Sequence, residues 1–334
     1  MKIIRQKELL SWLDNIAGEQ KLIAPTLVAK TVLYRPVKDS SQIQWDHTLP
    51  VLSAKEALFP PTERLLTIEK TQGEIQLTEN LPQGKQVLFG IRPCDVQGIL
   101  ALDALFLDTE PQDDYYAQRR KDTTLVGMAC EEMKETCFCT SLGSSPHDAT
   151  GMDIMLTKVA SGYAVKVLTD KGADLLQDLE LDPFEGELPD PPQPIQNVPN
   201  PESIPWAEHF EDVFWEETAE RCLSCRMCAY VCPVCRCFDV RDELLADQEH
   251  LKKFERIRAW DSCMREDYRT IAGGHNPREE KKARLRNRIL CKFLYYPEQY
   301  GVMACTGCGR CIDACPVNID LAEIISTMAQ GERV

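Results

Sequence analysis

Two runs of identical spacing, Cys222-x2-Cys225-x2-Cys228-x3-Cys232-Pro233 and Cys305-x2-Cys308-x2-Cys311-x3-Cys315-Pro316, constrain this chain more than any other feature. Three cysteines three residues apart can curl around one face of an iron-sulfur cubane. The fourth, followed by proline, leaves that loop and reaches the neighbouring cluster. On this pattern Cys222, Cys225, Cys228 and Cys315 hold one [4Fe-4S] cluster, and Cys305, Cys308, Cys311 and Cys232 hold the other. The crossing clips two distant segments together. Zinc also takes four thiolates, but the repeated spacing with its terminal proline is a cluster pattern and not a zinc-knuckle pattern.

The remaining composition sets the context. The chain has 334 residues, 43% hydrophobic and 27% charged, enough for two domains with cores of their own. The N-terminal MKIIRQKELLSWLDNIAGEQ carries charges among its apolar positions and reads as an amphipathic helix, not a signal peptide. No apolar run approaches the roughly 20 residues of a membrane span, so a cytoplasmic protein is expected. There the 16 cysteines stay reduced and are available as metal ligands. A net charge of -15 argues against nucleic acid and anionic membranes as partners.

Residues 182–205 contain eight prolines and read as an extended linker. They divide the chain into an α/β domain, 1–181, and a mainly helical ferredoxin-like domain, 206–334, that carries the two [4Fe-4S] clusters. In the first domain, Gln86–Ile91 reads as a strand feeding Arg92-Pro93-Cys94-Asp95 and a helix. TTLVGMAC reads as a second strand ending at Cys130, and DIMLTKV and YAVKVLT read as a hairpin. In the second, RDELLADQEHLKKFERIRAW and NPREEKKARLRNRILCKFLYY are rich in helix formers and read as helices.

A third set of cysteines lies in the first domain. Cys94 and Cys130 sit at strand ends, close in sequence order to Cys137 and Cys139. Strand ends of an α/β sheet gather on one edge, so these four can converge on a third [4Fe-4S] cluster; buried free thiols are the alternative. Cys235, Cys237, Cys263 and Cys291 are left over. Cys235 and Cys237 read as lining for cluster packing or as part of a fourth metal site, and Cys263 and Cys291 as structural. The basic stretch with Arg256, Arg258, Arg278, Lys281, Lys282, Arg284, Arg286 and Arg288 reads as a solvated helix face, as a dock for an acidic partner, or as an offset to reduced clusters. His275 reads as an ordinary loop histidine. No G-x-G-x-x-G that follows a strand and opens a helix, no P-loop, no H-E-x-x-H and no G-x-S-x-G is present, so hydride chemistry is expected elsewhere.

FGIRPCD at 89–95, CFCTS at 137–141, WDSC at 260–263, GGHNPR at 273–278 and the twin runs together resemble the iron-sulfur beta subunit family of cytoplasmic nickel-iron hydrogenases, the sulfhydrogenases. That family includes the homologous iron-sulfur component of anaerobic sulfite reductase and that of the flavin oxidoreductase complexes serving heterodisulfide reductase. The resemblance implies an electron relay between a flavin- and NAD(P)-binding partner and a catalytic oxidoreductase partner, each a separate chain of one complex. It also supports a third cluster at Cys94, Cys130, Cys137 and Cys139. No catalytic residue is expected in such a relay. The competing expectation is an enzyme that reduces a small sulfur-containing substrate at the N-terminal cluster or thiols.

Overall fold

The computed structural model describes residues 1–334 apart from 72, 249–250 and 332–334. The first part of the chain runs β1 (Lys2–Ile4), α1 (Gln6–Glu19), β2 (Lys21–Val28), β3 (Thr31–Val37), β4 (Thr62–Lys70), β5 (Ile75–Glu79) and β6 (Gln86–Ile91). It continues through α2 (Pro93–Phe106), α3 (Asp114–Asp122), β7 (Thr123–Met128), β8 (Ile154–Val159), β9 (Gly162–Val167), α4 (Asp170–Leu175) and β10 (Asp182–Pro183). Eight strands form one sheet in the order β10-β1-β9-β8-β7-β6-β2-β3. Its centre is parallel, β2 with β6, β6 with β7 and β7 with β8. Parallel strands covered on both faces read as continuous apolar runs, and all six residues of β6 are buried.

The side-chain alternation of β6 splits that burial between two cores. Val87 and Phe89 pack on one face with Leu9, Trp12, Leu13 and Ile16 of α1. Leu88 packs on the other with Val96, Ile99, Leu102 and Phe106 of α2, and Ile91 joins it because the pairing register shifts between Phe89 and Ile91. The expected strand, turn and helix at 86–106 and the hairpin β8–β9 are therefore present. The N-terminal helix starts only at Gln6, because Lys2–Ile4 are drawn into the sheet as a strand against β9.

Beyond the proline-rich stretch come α5 (Phe214–Arg221), α6 (Met227–Tyr230), β11 (Phe238–Gln248), β12 (Leu251–Trp260), α7 (Lys281–Leu290), a π-helical turn (Cys291–Tyr295), α8 (Tyr296–Tyr300), α9 (Arg310–Asp313) and α10 (Leu321–Gln330). The helix expected at RDELLADQEHLKKFERIRAW is a correction. That segment forms the antiparallel pair β11–β12, and residues 249–250 of the expected helix lie outside the described residues.

The physical reason for the strand is tertiary. β12 is clamped between β11 and β4 in a second sheet of order β11-β12-β4-β5. Charges that would stabilise a helix at i,i+4 instead pair across strands. Arg256 Nε donates to Asp242 at 2.7 Å, and Lys253 Nζ to Glu69 at 2.7 Å. Buried Arg258 donates from Nε to Glu63 of β4 at 2.7 Å. Strand β12, which follows the proline-rich stretch, thus completes a sheet begun before it. The end of that stretch is packed as well, with Val198, Ile204 and Trp206 in a core shared with Phe138, Trp215, Phe293 and α10.

Candidate iron-sulfur centre

The twin runs fold as two similar loops. Each places a pair of residues with positive φ on either side of its central cysteine: Ser224 and Arg226 around Cys225, Gly307 and Gly309 around Cys308. Left-handed residues turn successive backbone N–H groups toward one side, a concavity suited to an anion. The residue types differ because the surroundings differ. Cys225 is exposed, whereas Cys308 is buried. A Cβ on Gly307 would come within 2.5 Å of the Cys139 amide nitrogen, and one on Gly309 within 2.5 Å of the Thr136 carbonyl oxygen. The second run is thus pressed against the segment that carries Cys137 and Cys139, and the Phe138 N–H donates to the Gly307 carbonyl at 2.8 Å.

Cys222, Cys225 and Cys228 line one cavity together with Cys315 and Pro316 from the other run, and Cys311 forms part of its wall. The Ile319 N–H donates to Cys315 Sγ at 3.2 Å and the Ser224 N–H to Cys222 Sγ at 3.4 Å. Cys232 is buried and tied to the start of the second run by Lys292, whose Nζ donates to Cys232 Sγ at 3.3 Å and to the Ala304 carbonyl at 2.9 Å. Thiols around a cavity with inward-facing donors fit the demands of a cluster, whose sulfurs accept hydrogen bonds. Burial pushes Cys311 up to about 12. Such a thiol gives up its proton when a metal takes the proton's place.

The four N-terminal cysteines also come together. Cys94 opens α2, Cys130 follows β7, and Cys137 and Cys139 flank Phe138. Cys94 lies near enough to Cys130 and Cys308, and Cys139 to Cys130 and Cys137, for their ionisations to oppose one another. Cys137 Sγ lies 3.9 Å from the Cys308 carbonyl. Burial pushes Cys130 up to about 11 and Cys139 to about 12.

An ion pair missed in the sequence fixes this junction. Arg310, next to Cys311, donates from Nη2 to Asp95 at 2.9 Å, with side chains 2% and 0% exposed. The Arg310 Nε donates to the Pro50 carbonyl at 2.8 Å, and the Tyr34 hydroxyl to Asp95 at 3.1 Å. The first run is seated on α2 as well, where Gly98 admits Pro233, since a Cβ there would meet Pro233 Cβ at 2.5 Å.

Part of the basic stretch turns inward. Arg288 and Lys292 are one helical turn apart and buried, and Arg288 donates to the Cys228 carbonyl at 2.7 Å and to Cys235 Sγ at 3.3 Å. Arg256, by contrast, is a partly exposed strand residue, and His275 is exposed, its carbonyl accepting from the Ile271 N–H at 2.9 Å. The four left-over cysteines line a separate cavity. Among the described residues no three His, Cys, Asp or Glu side chains close on a point as a single metal ion requires.

Residues 221–319 match the family described as a 4Fe-4S dicluster domain. Over 325 residues the chain is 32% identical to sulfhydrogenase 2 subunit beta of Pyrococcus furiosus, covering 93% of each chain. The chain belongs to the sulfhydrogenase beta subunit family. As a member it is an iron-sulfur protein of the electron-transporting oxidoreductases. No solved structure matches it. No described helix is long and apolar enough to cross a membrane.

Proposed function

We propose that this chain is the electron-relay component of a cytoplasmic oxidoreductase complex. It passes single electrons between a flavin- and NAD(P)-binding partner and a catalytic partner of hydrogenase, sulfite reductase or heterodisulfide reductase type. Cys222, Cys225, Cys228 and Cys315 hold one [4Fe-4S] cluster; Cys305, Cys308, Cys311 and Cys232 hold a second; Cys94, Cys130, Cys137 and Cys139 hold a third. Residues 1–181 are the α/β part, joined through 182–205 to the dicluster part at 206–334.

The observation that carries the reading is the cavity where Cys315 joins the three cysteines of the other run. It supports the crossed ligation, and the relation to a beta subunit of a sulfhydrogenase supports a place in a larger assembly. The third cluster is supported by the nearness of Cys130 to Cys94, Cys137 and Cys139, and of Cys94 and Cys137 to Cys308. Bound clusters would supply one-electron steps, splitting the two-electron chemistry of a flavin. The chain's own part is to hold the thiolates, donate N–H groups to sulfur and place Arg288 and Lys292 where extra negative charge arrives.

The test is anaerobic isolation of the chain with whatever accompanies it, followed by EPR of the reduced protein. A flavin-containing partner and [4Fe-4S] signals are expected. The isolated chain should show no turnover of sulfur compounds with reduced dyes; substantial turnover, or zinc in place of iron, refutes the relay.

A further inference from the structure

The four cysteines outside the three proposed cluster sets are scattered in sequence. Cys235 and Cys237 follow the first run, Cys263 follows β12, and Cys291 begins the π-helical turn after α7. All four nevertheless line one cavity of about 320 Å³, roughly ten times the ~30 Å³ that a water occupies in the liquid.

Local structure explains the convergence. The pairing of Phe238 with Trp260 sets the base of the β11–β12 hairpin, and the Asp261 N–H donates to the Cys237 carbonyl at 2.9 Å. Cys237 and Cys263 therefore both lie at the base of the hairpin, and they line the cavity together with Tyr268. Cys291 enters from the helical side, where a π-helical turn re-aims the chain, a departure often found at functional sites.

The walls carry positive charge. Arg288 donates to Cys235 Sγ at 3.3 Å, and Arg236 Nη2 to Cys291 Sγ at 3.5 Å while its guanidinium lies 3.8 Å from the Tyr296 ring. Lys292, Arg269 and Arg278 complete the cationic lining, and Arg278 Nη1 is shielded from solvent without a hydrogen-bond partner. A buried donor with no acceptor is costly unless something in the site accepts from it. Four thiols, a roomy interior and cations on several sides suit an anionic, sulfur-rich occupant. A single zinc ion needs its ligands drawn to one point, which no three such residues among those described achieve. A disulfide between Cys237 and Cys263 would leave Cys235, Cys291 and the orphaned guanidinium N–H unexplained.

The geometry points to a further [4Fe-4S] cluster held by Cys235, Cys237, Cys263 and Cys291, beside the cluster site of the first cysteine run. Arg288 touches both sites, through the Cys228 carbonyl and Cys235 Sγ. The additional core takes one electron from its neighbour and passes it on, with no bond made or broken and no proton moved. This goes beyond the proposed relay, because it gives the path another stop next to the first run.

The experiment compares the full chain with its Cys263→Ala/Cys291→Ala double variant, both reconstituted anaerobically with ferrous iron and sulfide. The variant is expected to bind about four fewer irons and four fewer sulfides per chain, with the EPR signals of the twin-run clusters retained. Equal iron in the two proteins, or zinc in the wild-type site, overturns the assignment. Should the double variant not fold, Cys291→Ser keeps the question open to measurement. Replacing one thiolate by an alkoxide is expected to alter the signal of one cluster only, and a spectrum identical to wild type overturns the assignment.

Discussion

Gly307 offers the sharpest check on how the second cysteine run is seated. Its φ is +62°, and an added Cβ would lie 2.5 Å from the Cys139 nitrogen and 2.6 Å from both Cys139 Cα and the Phe138 carbonyl carbon. Gly307→Ala therefore carries the left-handed cost of about 1–2 kcal/mol and an overpacking cost of about 1–3 kcal/mol, because the obstructing atoms are backbone. It also strains the Phe138 N–H bond to the Gly307 carbonyl, worth about 1 kcal/mol. The sum is about 3–6 kcal/mol. Gly301 is the internal control, with a φ of +70° and nothing within 4 Å of its Cβ position, so Gly301→Ala carries only the first cost of about 1–2 kcal/mol. At about 2 °C per kcal/mol for a chain of this size, the two variants should separate by several degrees. The assay is the midpoint of thermal loss of visible cluster absorption under argon at one fixed heating rate. Equal shifts for the two glycines would refute the argument that the second run is pressed against residues 136–139.

Replacing Lys292 by Gln removes a buried cation 3.3 Å from Cys232 Sγ. A unit charge at about 6 Å and an effective dielectric of about 20 is worth about 3 kcal/mol, on the order of 100 mV for one electron. Potentiometric EPR should show one cluster potential falling by tens of millivolts, and an upward shift would contradict the proposed role. Asp95→Asn leaves Arg310 buried without its partner and should cost about 3–5 kcal/mol; an additional Arg310→Met change should recover part of that loss in the same thermal assay. His47 is held neutral, its pKa lowered to about 4 by burial and by the nearby Arg92, and neither ring nitrogen has a partner. The unfolded chain takes up this proton from about pH 6.5 downward and the folded chain only near 4, so stability falls as pH drops across that window, by at most about 3 kcal/mol. His47→Phe should flatten the difference, measured as midpoint against pH.

What could be read from sequence was whatever local chemistry dictates. The β6–α2 unit declared itself because a short continuous apolar strand, a proline at the first turn of a helix and a long apolar run after it are all local signals. The twin runs were legible for the same reason, since the first three cysteines of each lie within one short loop. The β11–β12 hairpin was not. Its Leu, Glu, Lys and Arg content favours helix, and the partners that override it, such as Glu69 for Lys253 and Glu63 for Arg258, lie more than a hundred residues away. The gathering of Cys235, Cys237, Cys263 and Cys291 was hidden likewise, because a hairpin base and a π-helical turn bring them together and no spacing encodes that. Their number alone, four left over, was a signal.

The pairing of β12 with β4 also sets a timetable. Glu63 and Arg258 are 195 residues apart in the chain, so at about 5–20 residues per second of synthesis the β4 edge waits roughly 10–40 s for its neighbour. During that interval it presents unpaired backbone groups, the usual starting point for association between nascent chains. Completion of that sheet requires the segment between the two cysteine runs to have emerged. Closing that sheet therefore comes after the first cysteine run has emerged and before the second, so the strands at its edge are paired while half of the cysteine pattern is still to be made.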